Sequence, residues 1–147
     1  MSIKKFGNAN ERNILAFEHK YNLKLPQDYI QFLLRFNGGV ADPDDNEVFV
    51  RYLKENINID VLYGLNVDNT ELDIECRMKL YKDELPNDTV IIGDSYQYGL
   101  IVILCSGDDA GIYYWDHTYE YECSNDDNNT YFIADTFTDF AKNLLQE

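Results

Sequence analysis

Pro26-Gln27-Asp28-Tyr29-Ile30-Gln31-Phe32-Leu33-Leu34-Arg35-Phe36-Asn37-Gly38-Gly39 is the stretch on which the reading of the whole chain turns. Pro26 suits the first position of a helix, where the N–H it lacks would have no partner. Asp28 falls in the first turn, facing the positive end of the helix dipole. Tyr29, Phe32, Leu33 and Phe36 recur at helical spacing as an apolar stripe. Asn37, Gly38 and Gly39 stop it, because Asn and Gly accept the left-handed conformation that follows a helix end. Upstream, Ile14, Phe17 and Tyr21, with Leu15 alongside, predict a helix over residues 10–21 capped by Asn8 or Asn10. Leu23, Lys24 and Leu25 make a short link, so the two helices are expected to pack as a hairpin.

Downstream the hydrophobic period shifts to two. Residues 48–52 and 57–63 read as strands, with Ile57, Ile59, Val61 and Tyr63 on one face. Leu72, Cys76 and Leu80 predict a helix over 69–81. Residues 89–93, 100–105 and 112–115 are apolar strands joined by turns rich in Asp, Ser and Gly. Residues 124–129 form a polar tip between 119–123 and 131–133. A last helix starts with Asp135 as its cap and carries Phe137, Phe140, Ala141, Leu144 and Leu145 on one side. Helices at both ends of hairpin-linked strands mean α+β with a mainly antiparallel sheet.

The chain has 147 residues, which favours one domain over 1–147, and 45% hydrophobic with 14% aromatic residues can close a core. Twenty-seven acidic against twelve basic side chains give a net charge of −15, which argues against direct binding of nucleic acid or anionic lipid. The excess is uneven. Residues 1–74 hold 8 basic and 12 acidic side chains, whereas residues 75–147 hold 4 and 15. No Lys or Arg occurs between Lys82 and Lys142. Such a one-signed surface steers a positively charged partner, although solubility alone also accounts for it. No apolar run is long enough to span a membrane, and the first residues lack the apolar core of a secretory signal. Cys76, Cys105 and Cys123, an odd and widely spaced set, predict reduced and mostly buried thiols in a cytoplasmic protein.

Chemistry finds little to stand on. Gly93-Asp94-Ser95-Tyr96 invites comparison with a hydrolase nucleophile, whose base could only be His117. Adjacent residues on a strand point to opposite faces, so Asp116 should not orient that ring, and the Gly-x-Ser-x-Gly pattern is absent. The Asp/Asn-rich loops at 42–46 and 125–129 lack the Gly and Glu positions of a calcium hand. The three cysteines and two histidines have no zinc-ligand spacing. No phosphate loop or dinucleotide fingerprint occurs, so no catalytic residue, metal or cofactor is expected. Trp115-Asp116-His117 is the most pointed cluster, readable as core plus turn or as an aromatic anchor at a binding surface.

Four motifs in order resemble the SUKH superfamily. Leu25, Pro26, Tyr29, Phe32 and Leu33, ending in Asn37-Gly38-Gly39, are similar to its N-terminal helix motif. Gly93-Asp94-Ser95 resembles its glycine-acid turn, although Tyr96-Gln97-Tyr98 stands where many members carry glycines. Gly111 to His117, with Trp115-Asp116-His117, resembles its aromatic strand, and Asp135-Thr136-Phe137 its closing helix start. The resemblance implies an α+β fold in which these residues shape the fold and a shared cleft. It also implies, in bacteria, an immunity protein that neutralises a polymorphic or contact-dependent toxin, often a nuclease. Yeast relatives regulate cell-wall assembly, so an adaptor binding cellular proteins is the alternative. Joined to the charge, it points to a non-enzymatic protein binding a basic toxin domain one-to-one. Asp108, Asp109, Glu120, Glu122, Asp126 and Asp127 are the expected contact carboxylates, and Tyr119 and Tyr121 the aromatic anchors.

Overall fold

A computed structural model describes residues 3–145. Asn10 caps α1 (Glu11–Tyr21) by accepting from the Arg12 N–H, and Asn22 ends it in the left-handed conformation. Helix α2 (Gln27–Arg35) buries Tyr29, Phe32 and Leu33, the stripe expected of it. Pro26 stands just before the first turn rather than in it, and its carbonyl accepts from the Ile30 N–H. The two helices are consecutive, but α2 packs most closely on α4 (Phe137–Ala141): the Phe137 ring lies 5.0 Å from Tyr29 and 4.9 Å from Phe32.

Among the described residues eight strands form one antiparallel sheet. They are β1 (Ile3–Lys5), β2 (Gly39–Ala41), β3 (Glu47–Val50), β4 (Glu55–Leu62), β5 (Thr89–Ser95), β6 (Leu100–Leu104), β7 (Gly111–Trp115) and β8 (Thr130–Ala134). Their order is β1-β2-β4-β5-β6-β7-β8, with β3 paired to the first half of β4 and β2 to its end. The sheet curls far enough that Tyr52, past the end of β3, stacks on Tyr131 of β8 at 5.4 Å. The turn at Asn37-Gly38 explains the motif there. Gly38 has φ +86°, and a Cβ on it would sit 2.5 Å from the Leu62 carbonyl oxygen. Asn37 then clamps the sheet by exchanging hydrogen bonds with the Leu65 backbone at 2.8 and 3.0 Å. At the β5–β6 turn, Tyr98 takes φ +70° where glycine would be easier, held because Gln97 is pinned to the Asn58 backbone and side chain.

Four expectations need correction. The predicted helix over 69–81 is broken: a 3-10 turn (Thr70–Leu72) ends at Asp73, whose side chain accepts from the Cys76 and Asn66 N–H groups and starts α3 (Ile74–Leu80) anew. Its buried stripe is therefore Ile74 and Met78, and Leu80 is 65% exposed. Cys76 and Cys123 are consequently exposed and only Cys105 is half-buried, against the expectation of mostly buried thiols. Thr136, not Asp135, caps α4, because its hydroxyl reaches the Asp139 N–H. Leu15, finally, expected alongside the α1 stripe, is 59% exposed, and residues 119–123 form a loop drawn in around Asp116.

Candidate functional site

Alternation along the strands decides what the cleft is made of. Val102 and Leu104 of β6, Tyr113 and Trp115 of β7, Thr89 of β5 and Thr130 of β8 are cross-strand partners and share one face. Ile101, Ile103, Ile112 and Tyr114 point the other way and are buried. The first set floors an open cleft of about 680 Å³. Glu84, Leu85 and Pro86, between α3 and β5, make one wall. His117, Tyr119, Asp126 and Asn129, between β7 and β8, make the other, and Asp109 closes one end.

The second wall is built by Asp116. Its carboxylate is wholly buried and accepts from the Glu120 N–H at 2.9 Å, the Tyr121 N–H at 3.0 Å and the Ser124 hydroxyl at 2.5 Å. A carboxylate that accepts three hydrogen bonds folds a loop onto itself. Tyr119 is left at φ +56°, 45% exposed, its hydroxyl donating to Asp126. Farther out, Asn125 accepts from the Asp127 and Asn128 N–H groups and forms the polar tip.

Three rings meet at the closed side. Tyr81 stands edge-on to Trp115 at 5.6 Å and to His117 at 5.3 Å, and Trp115 lies 5.4 Å from His117. Trp115, 9% exposed, is both core and cleft floor, so the two readings of it merge. Burial lowers the His117 pKa below its ordinary value, against the opposing pull of Glu84, so the ring is neutral at pH 7. Its Nδ1 is buried without a partner, and its Nε2 makes only a long 3.5 Å contact with the Tyr81 hydroxyl.

Of the expected contact residues, Asp109, Tyr119 and Asp126 line the cleft. Asp108 shares the β6–β7 turn with Asp109, and Glu120, Glu122 and Asp127 are exposed beside the second wall. Tyr121 does not belong with them: it is half-buried and edge-on to Tyr114, whose side chain faces away from the cleft. Glu84 and Tyr81 were missed as site residues. Glu84 carried a signal, since it lies in the cation-free interval, but Tyr81 read only as the end of a helix.

A hydrolase arrangement is not assembled. Ser95 is buried with its hydroxyl 3.1 Å from that of Tyr114, His117 packs with Tyr81 and Trp115, and Asp116 is occupied by its loop. Asp94 accepts from the Tyr63 hydroxyl at 2.7 Å, and burial raises its pKa above the ordinary carboxylate value. Among the described residues no group of three or more His, Cys, Asp or Glu side chains is placed to hold a metal ion. No helix among them is long and apolar enough to cross a membrane.

A curled antiparallel sheet closed by helices, with an acid-rimmed aromatic cleft on one face, defines an α+β fold. Residues 8–143 match the model of the SMI1 / KNR4 family (SUKH-1), and the chain belongs to that family, which comprises immunity and regulatory proteins. A comparison with individually curated proteins found no match.

Proposed function

We propose that this chain is an immunity protein that binds a cognate polymorphic or contact-dependent toxin domain, a basic nuclease, and blocks it in the cytoplasm. One observation carries the reading: Glu84, Asp109 and Asp126 surround an aromatic floor, and among the described residues none of them has a basic partner within 4 Å. A nuclease holds phosphate with clustered Lys and Arg, and carboxylates set against such a surface raise the on-rate and the specificity together. Tyr119 is the exposed anchor at the rim. Asp108, Glu120, Glu122 and Asp127 extend the negative field around it.

The test is co-expression of this chain with the toxin domain encoded beside its gene, scored by survival. Rescue is expected, with a one-to-one complex on gel filtration. Death despite soluble co-expression overturns the proposal, and capture of several unrelated cellular proteins in its place favours an adaptor like the cell-wall-assembly regulators. Reversing Asp126 and Asp127 to Lys should slow association about tenfold and flatten its salt dependence.

A further inference from the structure

We infer that the cleft is a receptor for a guanidinium: an arginine side chain protruding from the partner enters it and lies against Trp115 and Tyr113. The inference rests on the proposal that the partner is a basic protein, and it adds which chemical group enters and where. Every hydroxyl lining the cleft donates to the protein itself. Tyr113 donates to the Asp109 carbonyl, Tyr119 to the Asp126 carboxylate, Thr89 to the Asn87 carbonyl and Thr130 to the Asn129 side chain. Their oxygens are therefore left as acceptors, alongside the carboxylates of Glu84, Asp109 and Asp126. His117, neutral at pH 7, brings no positive charge to oppose a cation.

The lining also carries the Trp115 indole, the Asn129 amide and the His117 ring, but its only charges are the three carboxylates, so a cationic occupant with several donors is favoured. An anion would face three carboxylates, and a neutral apolar group would leave their field unanswered. Arginine fits better than lysine because its plane lies flat on an aromatic ring while its five N–H donors reach the acceptors at the edge. A volume of about 680 Å³ exceeds one side chain, so the neighbouring residues of a loop or helix turn enter with it.

The molecule carries its own probe, since Trp115 is the single tryptophan and lies on the cleft floor. Titration with the capped peptide acetyl-Gly-Gly-Arg-Gly-Gly-amide should give a saturable change in Trp115 emission. The same peptide with citrulline or lysine in place of arginine should bind about tenfold more weakly. The double variant Glu84→Gln/Asp126→Asn should weaken the arginine peptide by a similar factor, with thermal melting used to confirm that it folds. No saturable change, or equal binding of the citrulline or lysine peptide, overturns the inference. Co-expression together with toxin binding separates it from the wider proposal. If the wild type rescues cells and the double variant binds the toxin domain as tightly as the wild type does, the cleft is not the receptor although immunity stands; if the wild type fails to rescue, immunity fails whatever the peptides show.

Discussion

Asp116 shows how one side chain can set a binding surface it does not touch. Its two oxygens hold two backbone N–H groups and a serine hydroxyl, and that ties residues 120–124 back to the end of β7. Tyr119 reaches the cleft only because the intervening turn bends it to a positive φ, which a bulky residue adopts at some cost. Asp116→Ala removes all three acceptor contacts at a site with no exposed surface. The expected loss is about 3 kcal/mol, the scale of unpairing buried groups bonded to a charge. Urea denaturation measures that loss, and hydrogen exchange should speed up first at the amides of Glu120 and Tyr121. A variant within about 0.5 kcal/mol of the wild type would show that the loop holds without this carboxylate. In the sequence Asp116 could be separated from His117 by strand alternation, but nothing there said what it bonds instead, since its partners lie on a loop whose path it creates.

Among the elements, α2 and α4 are joined by packing and by a polar tie. Phe137 inserts between Tyr29 and Phe32, and Asp28 accepts from both the N–H and the hydroxyl of Thr138 at 2.9 Å. One carboxylate at the start of α2 thereby serves the first turn of a helix 110 residues further on. Asp28→Ala should cost about 1–2 kcal/mol, comparable to the loss of a helix cap, and Thr138→Ala added to it should cost less than it does alone. A double-mutant cycle by urea denaturation reads this coupling; strictly additive losses would mean that the tie contributes nothing. The stripes of α2 and α4 were legible because each presents one apolar face without interruption, whereas on α1 Ile14 and Phe17 are buried but Leu15 beside them faces out. Helix α3 was misread because Leu72, Cys76 and Leu80 keep helical spacing across a break at Asp73, and a capping carboxylate resets the register. Strands β5 to β7 were legible from their β-branched runs, and with them Trp115, Tyr119, Asp109 and Asp126 as neighbours of one strand. The wall carrying Glu84 was not, because its approach to β7 is a tertiary contact between segments some thirty residues apart.

At the scale of the whole molecule the charge acts in two opposite ways. Thirteen acidic side chains and no basic ones lie between Lys82 and Lys142, yet they are not one patch. Asp94 and Asp116 are committed to internal hydrogen bonds, Asp88 accepts from Ser106, and three line the cleft. The others are exposed, and in a chain whose net charge is −15 the acidic side chains repel one another in the folded state more than in an expanded chain. Added salt screens that repulsion, because the Debye length falls from about 10 Å at 0.1 M to about 3 Å at 1 M. The same screening removes the attraction that steers a basic partner to the cleft. Raising sodium chloride from about 0.05 to 0.5 M should therefore increase the stability of the free protein by about 1 kcal/mol, the scale of a few exposed charge interactions. Over the same range association with the toxin domain should slow about tenfold or more, while dissociation changes little. Denaturant titration and stopped-flow mixing read the two effects separately. Stability that falls with salt would mean that favourable ion pairs outweigh the repulsion; among the described residues these are Lys20 and Lys79 with Glu75, all partly exposed. Association indifferent to salt would mean that the partner finds the cleft by shape alone, and the carboxylates around it would then serve the solubility of the chain.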